Sequence, residues 1–179
     1  MEPETGAAIP PAARAIRALD SITELTGRAV AWLTLAMVLA TIAVVVLRYG
    51  FGIGLIWLQE SVTWMHAAVF MLGAAWTLRH DGHVRVDLLY RRMSPRRQAL
   101  VDLAGTVFLL LPTCAWLLVE SLPYVASSWR VLERSREAGG LPALYLLKTV
   151  IPLMAGLLML QGVAEILRAV ARLRGRGET

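Results

Sequence analysis

The sequence predicts an all-α membrane protein: four transmembrane helices with both termini cytoplasmic, plus an N-terminal amphipathic helix. Three observations carry this. Of 179 residues, 57% are hydrophobic and only 17% charged, with a mean hydropathy of +0.59, whereas an ordinary soluble domain has roughly 45 to 50% apolar residues. The charges are bunched, leaving uncharged stretches of nineteen residues after Arg28, eighteen after Glu60, seventeen after Asp102 and sixteen after Lys148. A helix needs about 20 mostly apolar residues to cross a hydrocarbon core about 30 Å thick. Finally, with the N-terminus inside, the inner segments hold thirteen of the 18 Lys and Arg residues, and only Arg48, Arg130, Arg134, Arg136 and Lys148 lie outside. Basic residues bias a loop against translocation, which sets the orientation.

Residues 1–13, with Pro3, Pro10 and Pro11 among Ala and Gly, read as a disordered tail. From Arg14, the spacing of Ile16, Leu19 and Ile22 suits a helix lying on the membrane surface. Span one, about 29–47, has no ionisable group and reads as an anchor. It is too long and starts too late for a signal peptide core. The glycines at 50, 52 and 54 mark a turn, since no strand precedes them as a nucleotide-binding loop requires.

Span two, about 56–78, carries Gln59 and Glu60 in its first turns, His66 two turns deeper, and a small-sided stretch of Ala67, Ala68, Gly73, Ala74 and Ala75. Small residues let backbones approach, so this span is expected to pack against others. Glu60 is the sharpest candidate for ion coupling, but its place near the outer end favours structural pairing or partner contact. His66 reads as a hydrogen-bonded packing residue. The following loop is dense in Arg. Its cluster of His80, Asp81, His83 and Asp87 has ligand-like spacing, but structural zinc sites use mostly Cys, and the surrounding arginines repel a cation. Ser94 followed by Pro95 marks a helix start, Ser capping and Pro in the first turn.

Span three, about 100–122, has Pro112 in its middle and is expected to bend there. The stretch SSWRVLERSREAGG that follows is polar and suits a short helix ending at Gly139 and Gly140. Span four, about 144–167, contains Lys148 near its outer edge, Pro152 and a buried Gln161. Residues 174–179 form a short basic tail.

Several chemistries find no support. One cysteine, Cys114, excludes an internal disulfide. One histidine inside a span does not make a bis-histidine haem site, and no phosphate-binding loop or nucleophile elbow occurs. The sequence therefore calls for no metal, cofactor or nucleic acid, and no enzyme activity. The basic excess instead faces membrane lipid.

The run LQESVTWMHAAVFMLGAAWTLRHDGHVRVDLLYRRMSPRR, residues 58–97, resembles the small (DctQ-type) membrane subunit of tripartite ATP-independent periplasmic (TRAP) transporters. The matching positions are Glu60, Leu72 to Ala75, Arg79, His83, Val86 and Asp87, with Arg85 between them. Residues 137–168, with Gly-Gly-Leu-Pro before the last span and Leu-Gln-Gly near its end, are similar as well. Many members have Glu-Glu where this chain has Gln59 and Glu60, and Arg where it has Thr63. The Leu-Gln-Glu version, together with HVRVDLLY, is more similar to the branch labelled mannitol or chloroaromatic compound transport.

The resemblance implies a division of labour. A periplasmic substrate-binding protein captures an organic acid, a large multi-span subunit moves it on an ion gradient, and the small subunit supports the large one in the bacterial inner membrane. Gln59, Glu60, His66, Gly73, Arg79, His83, Arg85, Asp87 and Gln161 become candidates for subunit contact or structural pairing. Arg130, Glu133, Arg134, Arg136 and Glu137 become candidates for docking the binding protein. The rival class is a self-sufficient four-span multidrug exporter, which would want its carboxylate at the middle of span one.

Overall fold

The computed structural model describes residues 11–83 and 90–175, and among them the chain is helix and loop without strands. Helix α1 runs over Pro11–Val45 and continues through a wider, π-type turn, Val46–Gly50. Helix α2 is Ile56–Arg79, α3 is Pro95–Arg130 and α4 is Leu144–Arg174. All four are long and apolar enough to cross a membrane.

Helix α1 and α2 form an antiparallel pair, and α4 packs against α1, α2 and α3. The facing positions of α1 fall at Leu19, Thr23, Thr26, Val30, Leu33, Met37, Ala40 and Val44, each buried or half-buried. Their alternate spacing of four and three residues is the seam of two helices crossing at a shallow angle. Small residues make the centre: Ala155, Gly162, Ala164 and Ala169 of α4 are buried, with Ala75 of α2 and Ala99 of α3. The large apolar side chains point outward, Phe70, Phe108 and Leu109 all being at least 70% exposed. That inversion of a soluble core is what lipid as solvent requires, because tails solvate Phe and Leu as well as a protein interior does.

Local sequence departs from expectation in four places. The N-terminal amphipathic segment is continuous with span one, because no proline or loop interrupts the chain after Pro11. Its buried face uses Leu19 and Thr23, while Ile22 is exposed. Residues 1–10 of the expected tail, and 176–179 of the C-terminal one, lie outside the described residues. Helix α3 begins at Pro95 as expected, but the Ser94 hydroxyl makes no capping hydrogen bond. Pro112 is absorbed by a π-type turn at Thr106–Leu110, where the Leu111 N–H donates to the Thr106 carbonyl five residues back. Such a turn accommodates a proline that leaves the carbonyl four residues earlier without its donor.

The fourth departure is at the far end of α3. The stretch expected as a separate short helix is instead the last turns of α3 followed by a loop. The helix stops in a Schellman motif: Leu132 takes φ +44°, its N–H donates to Trp129 O at 3.2 Å, and the Glu133 N–H donates to Ser128 O at 3.0 Å. Helix α2 ends the same way, with Asp81 at φ +52° and the Gly82 N–H donating to Thr77 O at 2.9 Å.

Candidate functional site

Polar side chains gather at the two ends of the bundle and along one outer face of α2. At the end carrying the 131–143 loop, Glu60 in the first turns of α2 reaches across to that loop. One carboxylate oxygen accepts the Ser135 hydroxyl, and the other accepts the Leu141 backbone N–H at 2.6 Å. Ser135 and Leu141 also pair through their backbones at 3.0 Å. The glycines of the Gly-Gly-Leu-Pro stretch fit this closure. Gly139 has φ +81°, and a Cβ on Gly140 would lie 2.7 Å from a Glu60 carboxylate oxygen. Glu60 thus ties α2 to the segment leading into α4.

Beside it, Glu133 turns inward. Its carboxylate accepts from Lys148 of α4 at 2.5 Å and from the Ser128 hydroxyl at 2.7 Å, and Lys148 lies 4.2 Å from the Tyr124 ring centroid. The Lys148 ammonium, followed by the Ser128 hydroxyl, holds the Glu133 carboxyl below the usual carboxylate range. Arg130, Arg134, Arg136 and Glu137 are exposed around this knot.

The opposite end, where α1 begins and α4 ends, holds a network among α1, α2 and α4. Arg79 donates to Glu24 at 2.7 Å and to the Asp20 carbonyl at 2.9 Å. Asp20 also pairs with Arg168, which pairs in turn with Glu165. Gln161, fully buried, accepts from Thr23 at 2.9 Å and donates to Glu165 at 3.1 Å. Trp76 packs on Gly27, where a Cβ would come within 2.3 Å of the indole. The His80 ring lies tilted against Trp76 with centroids 4.2 Å apart and bonds the Trp76 carbonyl, while His83 bonds the Ala74 carbonyl at 3.2 Å. Arg85 and Asp87 lie outside the described residues.

Sequence reasoning singled out Arg79 and Gln161 here and missed Asp20, Thr23, Glu24, Glu165 and Arg168. The signal was present: positions 20, 23, 24 and 27 share one helix face, as do 161, 165 and 168.

The third feature is unpartnered. Gln59, Thr63, His66, Phe70 and Gly73 line one face of α2 at helical spacing, the first four exposed. Around His66 an open groove of about 480 Å³ is lined also by Met37, Val38, Thr41 and Ile42 of α1. Gly73 was expected to take part in subunit contact or structural packing, and within this chain it is not what brings two helices together. A Cβ there would meet nothing within 4 Å, and the close approach of α1 to α2 is made by Gly27.

None of these arrangements pairs a nucleophile with a base in an enclosed cavity. They suit assembly within a membrane. The family model for the DctQ component of tripartite ATP-independent periplasmic transporters matches residues 37–172. The chain belongs to the DctQ family. It is accordingly a small membrane subunit of a TRAP transporter, a multi-pass component of a transport system and not a member of an enzyme family. The match takes in the Glu60 tie, the unpartnered face of α2 and Gln161, and leaves out Asp20, Thr23 and Glu24, which lie before it. No curated protein and no solved structure matches the chain.

Proposed function

We propose that this DctQ-family chain supports a large transport subunit in gradient-driven, binding-protein-dependent uptake of organic acids, with its termini cytoplasmic. What carries the reading is the disposition of its polar groups. Gln161, Glu60 and Arg79 are committed to ties between its own segments, while the one imidazole inside a span, His66, faces outward on an uncovered stripe. A secondary transporter that works alone builds its substrate and ion site at the midplane between repeats. This chain spends its interior polarity on holding itself together.

The stripe of Gln59, Thr63, His66, Phe70 and Gly73 is the surface assigned to the large subunit. A polar imidazole on a lipid-facing surface is unfavourable, and an interhelical hydrogen bond to a partner would relieve it. Exposed Arg130, Arg134, Arg136 and Glu137 form the surface assigned to the periplasmic binding protein, with Glu133 fixing the loop that presents them. The excess of basic residues at the terminal end supports the orientation.

The test is uptake of candidate organic acids into vesicles holding the large subunit and binding protein, with and without this chain. Uptake is expected only when this chain and the large subunit are both present. Uptake by this chain alone would overturn the reading. A His66→Leu variant is expected to assemble less well with the large subunit while retaining the fold of the isolated chain.

A further inference from the structure

Between the start of α3 and the end of α4 lies a groove of about 440 Å³, lined among others by Pro95, Arg96, Gln98, Ala99, Arg172 and Leu173. Pockets that hold small polar ligands have volumes of this order. Its charge is one-sided, two guanidinium groups and no carboxylate among the described lining residues. One turn before Arg172, Arg168 is neutralised by Asp20 and Glu165. Neither Arg96 nor Arg172 has an acidic partner among the described residues. The groove also sits at the first turn of α3, whose N–H groups receive no capping bond from the Ser94 side chain. The positive end of the helix dipole therefore adds to the two arginines.

Depth identifies the occupant. Arg96 lies about fifteen residues from the middle of the uncharged stretch of α3, and Arg172 a similar distance from that of α4. At about 1.5 Å per residue, both sit about 22 Å from the centre of the membrane-crossing stretch. The hydrocarbon core ends about 15 Å from the midplane and the headgroup layer about 20 to 22 Å from it. A cationic groove between helices at that level is matched to a phosphodiester. We propose that it binds the headgroup of an anionic phospholipid, its phosphate between Arg96 and Arg172 and its acyl chains along the apolar flank of α3 and α4. The inference rests on the helices crossing the membrane and is independent of the transport reading.

The experiment uses the purified full-length chain in mixed micelles, titrated with phosphatidylglycerol or phosphatidylcholine, with retained lipid counted by native mass spectrometry. Wild type is expected to prefer phosphatidylglycerol by about tenfold or more, two basic groups contributing. The double variant Arg96→Gln with Arg172→Gln is expected to lose that preference, and Arg96→Lys with Arg172→Lys to keep most of it. The lysine pair separates loss of charge from loss of fold. An unchanged preference in the glutamine pair would overturn the site. Complete displacement by millimolar inorganic phosphate would also overturn it, by assigning the groove to free phosphate. So would loss of the bound lipid when the large subunit is co-purified, which would assign the groove to protein.

Discussion

Thr23 of α1 and Gln161 of α4, 138 residues apart, meet through a 2.9 Å hydrogen bond at one of the most buried points of the bundle. The contact joins the first helix to the last, and beside it Asp20 and Arg168 pair the same two helices. Gln161 makes a bond with each end of its amide, and no buried side-chain nitrogen or oxygen is left unpaired among the described residues. A polar group inside a membrane bundle is tolerated on those terms.

This pair gives the first prediction. In a double-mutant cycle of Thr23→Val and Gln161→Leu, measured by unfolding in detergent, the coupling is expected at about 0.6 to 1.7 kcal/mol, between the average and the largest value for interhelical hydrogen bonds in a membrane bundle. Thr23 has a fallback acceptor in the Leu19 carbonyl at 3.3 Å, which keeps the value modest. A coupling near zero would mean that packing around Gly162 alone holds α1 against α4.

Glu60 supplies the second. With Glu60→Ala the Leu141 N–H loses a charged acceptor, a bond of the class worth about 1.5 to 3 kcal/mol. Its amide is expected to exchange with solvent at least about tenfold faster, 1.4 kcal/mol being a factor of ten. Glu60→Gln retains one carbonyl acceptor but turns an amide donor toward the other partner, so an intermediate effect is expected. Uptake by the assembled transporter should fall in step with the loosening of the complex. Normal uptake from an intact, co-purified Glu60→Gln complex would show that the tie is dispensable.

Two glycines of similar appearance provide the third, because the structure separates them. Gly27→Ala forces a methyl against Trp76, 2.9 Å from its Cβ and closer to the ring, and is expected to cost about 1 to 3 kcal/mol as overpacking. Gly73→Ala meets open space and should stabilise the isolated chain by up to about 1 kcal/mol through helix propensity. Under the proposed assembly the same Gly73→Ala weakens binding to the large subunit. Thermal unfolding of both variants alone, followed by co-purification of the second, checks the two halves separately.

The four helices were legible because lipid imposes them: sixteen to nineteen uncharged residues leave few alternatives. Gln161 stood out as an amide in an apolar run, and Glu60 as a carboxylate in the first turns of a span. Their partners were not legible. Glu60 meets a loop 75 residues away at Ser135, and no local pattern announces such a pairing. Asp20, Glu24 and Arg168 read as ordinary charges flanking spans until the fold set them side by side. Leu132 is a different case, since a leucine gives no hint that it will take the left-handed conformation normally left to glycine. The motif glycines were visible, but the reason for Gly140 appeared only with the Glu60 carboxylate beside it.

The last prediction concerns acidity at the 131–143 loop. Lys148, and after it Ser128, stabilise the ionised form of Glu133 and lower its folded value below the ordinary 4.5. A carboxyl whose folded value is depressed contributes stability that is present above the unfolded value and lost as pH falls through the folded one. The Glu133–Lys148 tie is therefore expected to act at full strength from neutral pH down to about 4.5 and to fade below that. Thermal midpoints of wild type and Glu133→Gln, compared across that range, should differ at neutral pH and converge in acid. Because Glu133 also fixes the end of α3 through Ser128, the variant should loosen Arg134 and Arg136 at neutral pH as acid does in wild type. A constant difference between the two proteins at every pH would show that the side chain acts through packing and not through its charge.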